Sequence, residues 1–227
     1  MSPTTLLDRA IYSYADVDRL VGLRHGTARR WIDGYHRGGT DYPPILRAEP
    51  TGSDSVTWGE MVEARLLAEF RNQRVPVRRL RPAVERLRAE FGPYPLAHAR
   101  TLLEVEGQEL VRRVQDEVGL EPELLLVVVR NGQLMLDLRA QRFADAVQYS
   151  DGVAATIRPT TRTPDVQLDP NRSFGQPSIR GVRTEVLAEE FRAGESRESL
   201  ADLYDLDPDQ VDQALRYELI ASSAQAG

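Results

Sequence analysis

Apolar residues recur at helical spacing from the start of the chain. Val17, Leu20 and Val21 fall at i, i+3 and i+4, one buried face of a short helix. Ser13 stands where an N-cap belongs, Asp16 is three residues on, and Gly22 stops the run. Ala28, Trp31, Ile32 and Tyr35 repeat at i, i+3, i+4 and i+7, which predicts a second helix over 26–35 with Trp31 and Tyr35 in the core. Two short helices joined by a glycine turn make a helix-turn-helix unit. The segment 37–57 is rich in Gly and Pro. Within it 45–49 and 55–58 read as two short strands around a loop, the layout of a wing. Thr57 and Glu60 form a T-x-x-E capping box, and the following helix buries Val62, Leu66, Leu67 and Phe70. Val77, Leu80, Val84, Leu87 and Phe91 continue the pattern, and Pro82 interrupts it, so the helix either starts near Arg81 or bends in its first turn.

The period then changes. Residues 124–136 alternate around Asn131-Gly132, a strong hairpin signal of type I′. Residues 101–114 read as a second hairpin around Gly107, 143–149 as a short helix and 158–165 as a linker. Residues 166–183 are turn-rich, with short strands around Val166 and Ile179. Helices follow near 184–193, 196–204 and 208–221, capped by Ser196 and by Asp207 before Pro208. The fold class is α+β and predominantly helical. Three segments are expected: 1–92 with a winged helix-turn-helix, 93–160 with β-hairpins, and 161–227 with a three-helix bundle.

Charge sharpens this picture. The net charge is −6, yet residues 1–100 hold 16 Arg against 12 acids and residues 165–227 hold 6 Arg against 13 acids. A basic front and an acidic back fit partners of opposite sign. Seven Arg crowd into 71–88 beside the single Glu85. All 29 basic residues are Arg, a bias that weakens the meaning of any one of them. Cysteine is absent, and the 3 histidines match no zinc spacing. No phosphate loop, nucleophile elbow or metalloprotease motif occurs, so no enzyme, cofactor or metal is expected. With no signal-like or membrane-length apolar run, the expected location is the cytoplasm.

The stretch 12–35, followed by a wing and by 56–88, resembles the DNA-binding domain of MerR-type regulators over about residues 11–91. The resemblance implies that the second helix enters the major groove while the wing and later helices clamp phosphates. Carried onto this chain, it makes Arg24, Thr27, Arg29, Arg30, His36 and Arg37 the DNA-binding candidates. Arg reads guanine by a bidentate contact, and a hydroxyl or amide at a helix start can meet a phosphate. The competing reading pairs Arg29 and Arg30 with Asp16, Asp18 or Asp33. Residues 168–170, 174–184, 191–196 and 200–218 resemble a short domain, formerly of unknown function, found in antitoxins. A helix-turn-helix joined to this tail resembles the larger VapB-type antitoxins, whose partner is a PIN-domain ribonuclease. That implies an operon-binding repressor, expected as a homodimer on double-stranded DNA, which also silences a toxin. Arg172, Arg180 and Arg183 are candidates for entering the toxin's acidic metal site. The acidic tail could instead mimic nucleic acid. Two other classes fit the sequence: a MerR-like regulator with no toxin, and a protein–protein adaptor.

Overall fold

The computed structural model describes residues 6–71 and 76–225. Two compact units divide it, residues 1–154 and 155–227. In the first, β1 (Ala10–Ser13) leads into α1 (Tyr14–Val21), with Ser13 and Asp16 closing the expected capping box. Gly22 turns left-handed (φ 72°) and the amide of Leu23 reaches back to the Asp18 carbonyl at 2.7 Å. This six-to-one bond ends the helix. α2 spans only Thr27–Ile32.

The second helix is therefore shorter than its periodicity predicts, and Tyr35 is not core. The chain turns at Gly34 (φ 76°), where any Cβ would meet the Tyr42 carbonyl oxygen at 2.6 Å. Tyr35 then opens β2 (Tyr35–Arg37), which pairs with β3 (Thr40–Tyr42) across Gly38 and Gly39, both left-handed. The hairpin thus lies at 35–42, not at 45–58. Residues 45–49 form no strand, and β4 (Ser55–Thr57) pairs antiparallel with β1. Expecting two flanking strands there misjudged the partner: β4 finds its edge in the segment before α1.

α3 (Trp58–Arg71) is the spine of this unit, with Trp58, Met61, Leu66, Leu67 and Phe70 fully buried. Its capping box forms as expected: the Glu60 amide donates to Thr57 Oγ1, and the Thr57 amide donates to Glu60 Oε2. The Trp58 indole N–H donates to the Ala154 carbonyl at 2.7 Å. A 3-10 turn over Val77–Leu80 leads into α4 (Arg81–Phe91), with Pro82 in its first turn, where a missing N–H costs nothing.

Residues 101–114 are helical rather than a hairpin: α5 is Ala99–Leu102 and α6 is Val105–Glu117. Gly107 is no turn. It lets α6 pack hard against the Arg100 carbonyl, which a Cβ would strike. The hairpin of β5 (Val127–Arg130) and β6 (Gln133–Leu136) forms as expected around left-handed Asn131 and Gly132. Buried Gln115 fastens it to α6, accepting from the Leu126 amide at 2.6 Å and donating to the Val127 carbonyl at 2.9 Å. α7 (Leu138–Ala146) ends inside the segment expected as a helix at 143–149. The rest of that segment lies in β7 (Val147–Ser150), which pairs with β8 (Val153–Ile157). Val147 is buried, and it lies on the strand rather than on a helix.

The second unit surrounds a core of Val166, Ile179, Leu187, Leu200, Leu206, Val211, Ala214 and Tyr217. β9 (Ser178–Ile179) and β10 (Val182–Arg183) form a tight hairpin. α8 (Thr184–Ala193), α9 (Arg197–Tyr204) and α10 (Pro208–Gln225) follow, near the expected bounds. Ser196 caps α9, and Thr184 Oγ1 bonds Glu218 Oε1 at 2.5 Å, joining α8 to α10. No described helix is long and apolar enough to cross a membrane.

Candidate nucleic-acid interface

The interface starts from how the turn between α1 and α2 is held. Asp18 is buried, and its carboxylate accepts from the Gly26 amide at 2.6 Å and the Ala28 amide at 2.7 Å. It thereby caps α2 from the preceding helix, since Gly26 offers no side chain. Ala28, Trp31 and Ile32 face the core, and Arg29 and Arg30 face outward.

The three acids that compete for Arg29 and Arg30 in the sequence are engaged elsewhere. Asp16 bonds Ser13 and Arg19, and Asp18 holds the turn. Asp33 accepts from Arg47 and from the amides of Thr51 and Gly52. Burial would raise the Asp33 carboxyl, but the Thr51 amide and the Arg47 guanidinium outweigh it and hold it below the usual carboxylate range. Among the described residues no carboxylate forms an ion pair with Arg24, Arg29, Arg30 or Arg37.

The β2–β3 hairpin stands beside α2. Tyr35 stacks on Tyr42 with ring centroids 4.5 Å apart and planes 7° from parallel. The Arg30 guanidinium sits 5.8 Å over the Tyr35 ring. His36 Nδ1 lies 2.7 Å from Asp41 Oδ1, and Arg37 is exposed next to the Gly38–Gly39 turn. Between α2, the hairpin and the start of α4 lies an open cavity of about 840 Å³. Arg24, Thr27 and Arg30 line it from the front, and Arg71, Arg78, Arg79 and Arg81 from behind, with no carboxylate among the described residues of its lining. Arg79 is held by Glu121 and Arg81 by Glu85. Arg74 of the same run lies outside the described residues.

The structure thus brings Arg24, Thr27 and Arg30 to one cavity. Arg29 shares their helix, while His36 and Arg37 sit on the neighbouring hairpin. The sequence reading missed the Tyr35–Tyr42 stack. Its signal was present: two tyrosines flanking a Gly-Gly pair at matching distance predict a cross-strand pair. In the second unit the three toxin-facing candidates do not converge as free cations. Arg172 pairs with Asp169, Arg180 with Asp205 and Arg183 with Glu185, at 3.7, 3.3 and 3.9 Å. The Arg180 and Arg183 pairs are solvated on both sides and weak, whereas the Asp169 carboxylate is mostly buried.

Comparison with known proteins covers both units. Residues 10–84 match a family model described as "Putative DNA-binding HTH domain", and residues 166–217 match "Protein of unknown function (DUF433)". "Uncharacterized protein Rv2308" of Mycobacterium tuberculosis is 43% identical, over 96% of this chain and 93% of its own. "Putative antitoxin VapB45" of the same organism is 32% identical, over 92% of this chain and 93% of its own. The crystal structure of Rv2018 from M. tuberculosis superposes with a TM-score of 0.74 at 30% identity, covering 92% of this chain and 99% of that one. Together the relatives and the helix-turn-helix match point to a DNA-binding regulator rather than an enzyme.

Proposed function

The chain belongs to the family that includes Rv2308 and the VapB45 protein of M. tuberculosis, and from that membership we propose that it is the DNA-binding antitoxin of a type II toxin–antitoxin pair. It represses its own operon from the first unit and neutralises a PIN-domain ribonuclease with the second. The first unit works as a MerR-like winged reader. α2 enters the major groove with Arg29 and Arg30, and the hairpin at 35–42, carrying His36 and Arg37, serves as the wing. Arg24 and Thr27 contact flanking phosphates. The observation that carries this is a cavity lined by arginines and by no carboxylate, beside a helix whose outward guanidiniums have no acidic partner among the described residues. Such a surface gains free energy by releasing counterions from phosphates. A six-residue reading helix gives a small footprint, so the protein acts as a homodimer on two half-sites. Arg172, Arg180 and Arg183 contribute to toxin binding in the second unit.

Fluorescence anisotropy with the DNA upstream of its own gene tests the reading. Specific binding should carry a steep salt slope. Arg29→Ala/Arg30→Ala should lose about 1–3 kcal/mol for each base-reading Arg. Equal, weak binding by both proteins would sink the DNA-reading part and leave a protein adaptor as the better account.

A further inference from the structure

We propose that two copies of this chain meet along the outer edge of β6, which pairs with β6 of a second copy and joins the two hairpins into one antiparallel sheet. This rests on the DNA-binding reading above, which calls for a homodimer and leaves its interface open.

The ladder shows which backbone groups are free. β5 and β6 set Val127 opposite Leu136, Val128 opposite Met135, Val129 opposite Leu134 and Arg130 opposite Gln133. Facing pairs in an antiparallel ladder alternate between those that exchange hydrogen bonds and those that do not. The two-residue turn at Asn131-Gly132 closes on a bonded pair, Arg130 with Gln133. At the other end the Asp137 amide donates to the Leu126 carbonyl at 2.8 Å. Val127 falls between bonded pairs, and its amide and carbonyl turn outward to Gln115 at 3.1 and 2.9 Å. By the same alternation the amides and carbonyls of Leu134 and Leu136 point away from β5. They have no hydrogen-bond partner among the described residues.

An unpaired edge is a template for another strand, and folds cover it or guard it with charge. Here β8 is bridged by His98 and Leu168, and β9 by Gln167. The β2–β3 hairpin carries His36, Arg37 and Asp41. β6 reads Gln-Leu-Met-Leu, with no charge and no proline. The next residue along it, Asp137, is already paired with Arg139 at 2.6 Å. The hairpin is apolar on both faces, with Val127, Val129, Leu134 and Leu136 on one and Val128 and Met135 on the other. Val129, Met135 and Leu138 remain 49%, 46% and 56% exposed. A lone two-stranded hairpin is marginal in water, and added strands stabilise it.

These features select a second copy. The free main-chain groups call for an extended strand, and β6 is one. A two-fold contact sets a surface against itself, so any charge on it meets its like. The chain carries a net charge of −6, yet this edge brings none. Setting Leu134 opposite Leu136 of the second copy, and the reverse, uses every outward amide and carbonyl of the two residues. Met135 then faces its own copy across the axis.

The test uses the full chain. Cysteine is absent, so Met135→Cys introduces a single thiol. Facing residues of a non-bonded pair have Cα atoms about 4.5 Å apart, within the reach of a disulfide. Mild oxidation should therefore cross-link Met135→Cys into a dimer and leave Val105→Cys, an equally exposed position on α6, monomeric on a denaturing gel. Met135→Lys sets two ammonium groups face to face. It should keep the wild-type circular dichroism spectrum while its dimer dissociation constant, from sedimentation equilibrium, rises by about 100-fold or more. If Met135→Lys stays as dimeric as the wild type and Met135→Cys does not cross-link, the copies meet elsewhere. The edge is then overturned and the homodimer stands. If the wild type is monomeric while bound to operator DNA, the homodimer falls and the edge with it. If Met135→Lys remains a dimer but no longer binds the nuclease, the edge receives the toxin and the proposal is overturned. If both variants behave as expected but the wild type binds no operator, the DNA-binding reading falls and the edge stands.

Discussion

Arg47 Nε lies 2.6 Å from Glu60 Oε1, and through this contact the loop after the hairpin is tied to the first turn of α3. The same guanidinium donates to Asp33 Oδ1 at 2.9 Å and to the Tyr14 hydroxyl at 3.0 Å. One nearly buried cation therefore joins α1, the end of α2 and α3, the elements that aim Arg29 and Arg30.

Removing that cation leaves two buried carboxylates uncompensated. Arg47→Met should lower stability by about 3–5 kcal/mol, read from the urea midpoint at neutral pH. DNA affinity should fall alongside. The exposed Arg79–Glu121 pair provides the contrast, and Arg79→Ala should leave the midpoint unmoved. An equal loss in both variants would show that the Arg47 network holds nothing special.

Glu63 is fully buried in α3. Its Oε1 accepts from the Leu96 amide at 3.0 Å, and its Oε2 has no partner among the described residues. Burial pushes its carboxyl up to about 8, against the opposing pull of the Leu96 amide and Arg88. The folded state thus prefers the protonated acid. This stabilisation is complete below the unfolded value of 4.5 and is lost as pH rises through about 8. Its slope approaches about 1.4 kcal/mol per pH unit. Glu63→Gln should gain stability over wild type progressively from pH 5 to pH 8. Parallel stability curves for the two proteins would refute a buried neutral acid.

The periodicities legible in the sequence were those that needed no tertiary partner. The Ser13 and Thr57 caps, the Pro82 start and the Asn131-Gly132 turn are local chemistry, and each stands where its residues put it. Tyr35 was misplaced because its spacing from Ala28, Trp31 and Ile32 continues a helix. That helix is ended by Asp33, drawn to amides that lie 18 and 19 residues away. Gly107 was misread for the opposite reason. A glycine flanked by apolar runs signals a turn, but here the missing Cβ serves a contact between α5 and α6. Among the site residues, the outward direction of Arg29 and Arg30 was readable from the buried face of α2. The engagement of Asp18 with the Gly26 and Ala28 amides was not, since nothing in the local pattern marks an aspartate as buried.

Gly34 decides whether the hairpin can sit beside α2. Its φ is 76°, and a Cβ would press on backbone at Tyr42 and Pro43. Gly34→Ala should cost at least about 1 kcal/mol in stability. It should also weaken operator binding by displacing Tyr35, His36 and Arg37. Gly38→Ala meets only the conformational penalty, since nothing lies within 4 Å of its Cβ, and should cost less. Melting temperature and anisotropy measured on both variants check this, and a Gly34→Ala protein with wild-type operator affinity would remove the hairpin from the interface.

The cavity arginines differ in how much of their charge is left for phosphate. Arg78 is exposed and forms no ion pair among the described residues, whereas Arg79 is locked to Glu121. A phosphate meeting Arg78 releases about one counterion, so Arg78→Ala should reduce the slope of log K against log salt by roughly 0.9. Arg79→Ala should change it far less, because Glu121 already balances that charge. Binding curves at four or five salt concentrations separate the two. If the two substitutions flatten the slope equally, Glu121 gives way on binding and the whole basic run acts as one surface. If neither does, the DNA contacts end at α2 and the hairpin, and the cavity lies outside the phosphate path.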